Sequence, residues 1–293
     1  MSLTALDIFD PSSYPTRRDE EWKYSDLSRA LRVVPQADDV HRLSDRIVIA
    51  AGETVVRFET STGEAAVTHE DLHFAVGEGA RLTRVVILDE PEDAVSIRRS
   101  TVETAPGSVF KQYVFSTGAR FQRFETHVTH AGHGAEVEMN GAYLLKDKRH
   151  FDLTTRVNHA EINGITNQMI KGLVKDQATG VFQGRIYVER GADGTDARMR
   201  HQALILNDGA HVRAKPELEI YADDVQCAHG NTIGALDESA LFFCQTRGMD
   251  EPTARALLTH AFVMPVAEAI EDEALRAKVL EFLEREAETY HAL

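Results

Sequence analysis

Two cysteines occur among the 293 residues, and one of them, Cys227, stands two positions before His229 in the run Val225-Gln226-Cys227-Ala228-His229-Gly230. The residues leading into it, Pro216 to Asp224, read as an acidic, strand-like run. On a strand, positions i and i+2 share a face. Cys227 and His229 are therefore expected side by side, a thiol next to an imidazole. Both are ligands for iron or zinc, and soft sulfur is the donor that iron–sulfur clusters prefer. Two donors do not close a metal site, so a partner chain or a substrate has to supply the rest. A buried cysteine beside a hydrogen-bonded histidine would give the same spacing, and the residues alone leave both readings open.

The other candidates carry less chemistry. His127, His130 and His133 fall at a spacing of three. That spacing alternates faces on an extended strand, and no carboxylate lies among them, so exposed loop histidines are expected. Cys244 sits between Phe243 and Gln245 in a helical stretch and is expected to be a small buried hydrophobe. Asp223-Asp224 suggests a carboxylate pair, but strand neighbours face opposite ways, and solvated turn acids are the expectation. No phosphate-binding Gly-x-x-x-x-Gly-Lys-Ser/Thr run is present. Gly77-Glu78-Gly79 is followed by more strand, not by the helix that phosphate binding needs, and no Gly-x-Ser-x-Gly elbow occurs. Catalysis by the chain itself is not expected.

Composition narrows the partners. The formal net charge is −15 with no basic cluster in the sequence, which disfavours nucleic acid and anionic membrane surfaces. No apolar run reaches membrane-span length. Met1 to Glu20 has neither a basic n-region nor an apolar h-region, so no secretory signal is expected. Two cysteines make no disulfide framework, and a reduced cytoplasmic protein is the expectation.

Three segments are expected to position these residues. Residues 1–45 form an entry segment in which Trp22 and Tyr24 can anchor a short helix or turn. Residues 46–235 read as strands. β-Branched and aromatic runs recur at Arg84–Leu88, Val109–Phe115, Ala135–Met139, Phe182–Val188 and Leu218–Val225. Glycines punctuate them at Gly52, Gly79, Gly107, Gly134, Gly164 and Gly191, with Val55, Leu82, Phe110 and Val137 each three residues after the first four. A period in the high twenties predicts the coils of a parallel β-helix. The Asn140-Gly141, Asn163-Gly164 and Asp208-Gly209 pairs keep an antiparallel sandwich with tight hairpins as the rival. Residues 236–293 read as helices. Asp237 and Asp250 are the N-caps, Gly248 stops the first helix, and Pro265 is expected to kink or end the second. The second helix carries an apolar stripe of Leu257, Leu258, Ala261 and Phe262, which is expected to be covered, by a partner or by the solenoid.

The run Glu217–Gly230, with Ile233-Gly234, Leu236-Asp237, Ala240-Leu241-Phe242-Phe243 and Thr246-Arg247-Gly248 after it, resembles the SufB/SufD family of iron–sulfur cluster assembly. The Cys-x-His-Gly form is similar to the SufD branch, as are Pro15-Thr16-Arg17-Arg18 at the entry and Lys171-Gly172 in the middle. The resemblance implies a right-handed parallel β-helix flanked by helical segments and a scaffold without catalysis of its own. It implies assembly with SufB through the β-helices, and with the ATPase SufC through the C-terminal helices that bear Leu257, Leu258, Ala261 and Phe262. It places Cys227 and His229 near the SufB interface, where a transient iron–sulfur cluster would form with further ligands from SufB. A SufB-like primary scaffold or a homodimer is the alternative within the family; a β-helix enzyme acting on carbohydrate is the alternative outside it. Asn231 stands where alanine is usual, Cys244 where leucine is common, and Pro265 interrupts a helix that is usually continuous.

Overall fold

The structure, a computed structural model, describes residues 6–61 and 66–291. Among them, fourteen strands alternate between two seven-stranded sheets. One sheet holds β1 (Val40–Ile49), β3 (Val67–Val76), β5 (Val95–Thr104), β7 (Phe121–His130), β9 (His150–His159), β11 (Thr179–Val188) and β13 (His211–Ile220). The other holds β2 (Thr54–Ser61), β4 (Arg81–Leu88), β6 (Val109–Ser116), β8 (Glu136–Leu145), β10 (Ile165–Val174), β12 (Thr195–Ile205) and β14 (Val225–Gly234). Each strand pairs with the one two places on, and the strand pairings are parallel, for example β6 with β8 and β12 with β14. This is a parallel β-solenoid, as the glycine period predicts. The rival hairpins do not form. Asn140-Gly141 lies inside β8, and Asp208-Gly209 lies in the turn that carries the chain from β12 to β13 in the opposite sheet.

The corners repeat because one equivalent backbone position in each of the first six coils adopts a left-handed conformation. Gly134 has φ 65°, and Asn163 takes the equivalent place at φ 59°; asparagine tolerates this region better than most residues. The corners also bond to one another: Gly107 N–H donates to the His133 carbonyl at 3.0 Å, Gly134 to Ile162 at 3.0 Å, Asn163 to Asp193 at 2.9 Å and Gly194 to Asp224 at 2.7 Å. The rungs are therefore Asn163 and Gly194, not the expected Gly164 and Gly191. Three residues after each corner an inward column runs through Val55, Leu82, Phe110, Val137, Thr166, Ala197 and Cys227. The run expected to be one strand, Leu218–Val225, is instead the end of β13, a turn through Asp223-Asp224 and the start of β14. The chain must leave one sheet for the other there, and the two aspartates are exposed turn residues.

Parallel sheets of this kind are covered on both faces. Inside the solenoid Phe74, Phe110, Phe124, Phe151 and Phe182 fill the core. Arg84 lies among them, fully buried, with Glu59 accepting from its Nε and Nη2 at 2.8 Å each and Ser100 from its Nη1 at 2.8 Å. On the outer face of the β7–β9 sheet sits the entry segment, a short turn at Glu20–Trp22 and α1 (Leu27–Ala30). Trp22 covers the Arg123 guanidinium at 4.2 Å and stacks on Phe121 at 6.5 Å. Arg123 is fully buried, between Glu125 and Asp152, and Asp152 also accepts from Ser25.

The opposite sheet is covered by α3 (Glu251–Glu268) and α4 (Glu273–His291), which follow α2 (Glu238–Thr246). Val263, Val266, Ile270, Val279, Phe282 and Leu283 pack on Val85, Tyr113, Phe115, Leu144 and Leu173. Asp237 accepts from the N–H groups of Ser239 and Ala240, and Asp250 from that of Thr253, as expected of N-caps. Pro265 does not end α3, which continues to Glu268. The carbonyl one turn back that proline leaves without a partner belongs to Ala261, an exposed residue.

Candidate functional site at the last coil

Cys227 and His229 lie on β14, the last strand of its sheet, hydrogen-bonded to β12 alone among the described residues. Cys227 is the seventh rung of the inward column, above Ala197. It is half-buried and packs against the solenoid core. His229 tops the neighbouring inward column, above Met199, Gln168 and Met139. The same positions one coil lower, Ala197 and Met199, are buried. Here no eighth coil follows among the described residues, and His229 is exposed. The pair shares the face that the strand spacing predicts, and that face opens at the end of the solenoid.

Burial pushes the Cys227 thiol above its ordinary value, and the charge of nearby Asp196 pushes the same way. At neutral pH the sulfur therefore keeps its proton, and a metal has to displace it. Among the described residues no group of three or more histidine, cysteine, aspartate or glutamate side chains could hold a metal ion. The donor set at this edge is one sulfur and one imidazole, which suits a shared site and not a resident one.

A polar thread runs inward beside the pair. Asn231 Oδ1 lies 2.7 Å from His201 Nδ1, and His201 Nε2 lies 2.8 Å from the Tyr143 hydroxyl. Burial holds His201 low, to about 4, and so keeps it neutral. Room for the Tyr143 ring comes from Gly172 and Gly180: a Cβ on either would fall 2.2 or 2.6 Å from ring atoms. Nothing in the sequence signals this thread except the unusual Asn231.

The three spaced histidines separate. His133 is exposed in a turn, but His127 and His130 are on β7. His130 is fully buried and stacks on His159 at 4.2 Å, and the Nε2 atoms of the pair lie 3.2 and 3.0 Å from Thr166 Oγ1. The expectation of exposed loop histidines thus holds for His133 alone and fails for His130 and for His127, a strand residue whose side chain is 15% exposed. The strand extends through both, and parity turns His130 inward while His127 faces out to Glu125. Cys244 is buried against Leu241, Ala254 and Leu258, as expected.

The apolar stripe of α3 divides. Phe262 packs toward the solenoid, with Lys171 over its ring at 4.4 Å, and Leu258 turns toward α2. Leu257 and Ala261 face outward. Phe242 (67% exposed) and Phe243 (58% exposed) on α2, with Met249, add exposed apolar surface to this helical segment. Helical spacing would have found the two phenylalanines: Leu241 and Cys244 take the buried face, which leaves positions 242 and 243 outside.

A two-sheet parallel solenoid with a Cys-x-His pair on its open last coil defines the class of protein. The profile of the SUF system FeS cluster assembly SufBD core domain matches residues 36–262. The chain belongs to the SufB/SufD family. It is 32% identical over 166 residues to the iron–sulfur cluster assembly protein SufD of Escherichia coli, a match covering 57% of this chain and 39% of that protein. It is 29% identical over 206 residues to a SufBD family protein of Synechocystis, covering 70% and 45%. A SufBD family protein of Mycobacterium bovis is 29% identical over 257 residues, covering 82% and 64%. The chain thus spans less than half the length of the first two relatives. No helix among the described residues is long and apolar enough to cross a membrane.

Proposed function

We propose that this chain is a non-catalytic scaffold subunit of SUF iron–sulfur cluster assembly, joined to a SufB-type β-helix at its last coil and to a SufC-type ATPase through its C-terminal helices. The observation that carries the reading is the position of Cys227 and His229 side by side on β14, whose free edge lies at the open end of the core. An unpaired strand edge offers backbone groups for continuing the sheet into another chain. A partner seated there brings its own donors to a thiol and an imidazole that cannot close a site alone. The cluster is then cargo of the assembled complex. The exposed Phe242, Phe243 and Leu257 support a second interface on the helices.

The test is co-purification of the chain with SufB and SufC homologues, followed by iron and sulfide analysis of the complex. Cys227→Ala with His229→Ala is expected to leave the chain folded and the complex assembled, with its iron–sulfur content sharply reduced. A complex carrying both substitutions that acquires clusters at the normal rate would make the pair structural.

A further inference from the structure

The sequence shows no basic cluster, yet the fold assembles one. A cleft of about 990 Å³ lies between the entry segment and the strand-start edge of the β3–β11 sheet. Arg17, Arg29, Arg32, Arg120 and Lys148 line it, against two carboxylates, Asp26 and Asp39. Arg17 pairs with Asp26 at 3.7 Å. The side chains of Arg29, Arg32, Arg120 and Lys148 form no ion pair among the described residues. On a chain of net charge −15, four cations without ion pairs against one remaining carboxylate, Asp39, give this concavity a local field of the opposite sign.

The floor is apolar and aromatic. Phe121 lies there, buried, with its ring 5.3 Å from that of His150. His150 Nδ1 is buried and has no hydrogen-bond partner. Val33, largely exposed, and Val34 stand on the rim. The size falls at the upper end of the range usual for small-molecule sites. Arginines recognise phosphate through paired donors, and an aromatic floor takes a planar ring. One wall, Arg17 to Pro35, precedes the matched family region, and the other, with Arg120, Phe121, Lys148 and His150, lies within it.

We infer that this cleft binds an organic phosphate carrying a planar ring, of mononucleotide size. The phosphate lies among Arg29, Arg32, Arg120 and Lys148, and the ring lies against His150 and the exposed Val33 and Val34, since Trp22 already stacks on Phe121. The site is independent of Cys227 and His229, which are on another strand edge.

Calorimetric titration of the full chain with adenosine diphosphate, and separately with pyrophosphate, tests this. Saturable binding of the nucleotide is expected, with pyrophosphate about tenfold weaker because it lacks the ring. Arg120→Glu with Lys148→Glu is expected to weaken nucleotide binding by about tenfold or more while leaving the melting temperature unchanged, since both residues are exposed. Raising salt from about 50 to 200 mM is expected to weaken binding as well. Absence of saturable binding up to about 1 mM nucleotide, equal binding of pyrophosphate, or an affinity unchanged by the double charge reversal would each overturn the inference. Binding of an oligoglutamate peptide in place of the nucleotide would overturn it too, and would assign the cleft to an acidic protein segment.

Discussion

Lowering the pH from 7 to 5 is expected to remove a large part of this protein's stability, and the buried histidines are the reason. His130, His159 and His201 are each fully buried inside the solenoid. Burial holds His130 down to about 3, with the His159 charge adding to the effect, and holds His159 and His201 down to about 4. In the unfolded chain each would titrate near 6.5. Between about 4 and 6.5 the unfolded state therefore binds more protons than the folded one, and stability rises with pH through that window. The contribution is complete above 6.5 and is lost as the pH falls toward 4. A histidine that stays neutral at pH 5 while its unfolded form is protonated costs about 2 kcal/mol relative to pH 7. Three of them cost roughly 6 kcal/mol, against a total stability of about 5–15 kcal/mol for an ordinary domain. Buried carboxylates such as Glu125, held to about 2 chiefly by the Arg123 charge against its own desolvation, act in the same direction but only below about 4.5. Urea unfolding followed by circular dichroism at half-unit steps from pH 7.5 to 5 separates the two groups. His201→Gln is expected to lower stability at pH 7 and to shrink the loss between pH 7 and 5 by about 2 kcal/mol. A loss below about 2 kcal/mol in the native chain, or an identical pH slope in His201→Gln, would refute the reasoning.

Three further outcomes are expected. Asp152→Ala removes the carboxylate shared by Arg123 and Ser25 and leaves a fully buried guanidinium short of a partner. It should cost about 3–5 kcal/mol and release the entry segment, visible as a change in fluorescence of the sole tryptophan and as early proteolytic cleavage there. Gly172→Ala pushes a methyl group into the Tyr143 ring and should cost about 1–3 kcal/mol, with much of the loss recovered by Tyr143→Leu in thermal melts. Phe262→Asp, which faces the solenoid, should unfold the chain, whereas Phe243→Glu, which is exposed, should keep the melting temperature and abolish co-purification with the ATPase. Equal melting temperatures for the two variants would overturn this division.

Much of the architecture was already present in local sequence. A solenoid coil is nearly a local object: a strand, a corner that needs a left-handed residue, and an apolar residue at a set distance from the corner. Gly52, Gly79, Gly107 and Gly134 carry that pattern openly, and so do Val55, Leu82, Phe110 and Val137. Side-chain parity on a strand is equally local, which is why the spacing of Cys227 and His229 alone places them on one face. The caps Asp237 and Asp250 depend only on the turn that follows them.

What the sequence left undetermined depends on stacking over 27 residues or more. The corner passes from glycine to Asn163 and then to Gly194, because a corner is defined by its bond to the corner below and not by its residue type. Leu218–Val225 has the composition of one strand but is divided by the geometry of leaving a sheet. His130 looks exposed until His159 is stacked on it from the next coil. The α3 stripe looks continuous until α2 and the sheet take opposite sides of it. Above all, Cys227 and His229 are accessible only because their coil is the last described. Ala197 and Met199 hold the same inward places one turn earlier and are sealed by β14, and a strand carries no local mark of whether another will be laid over it.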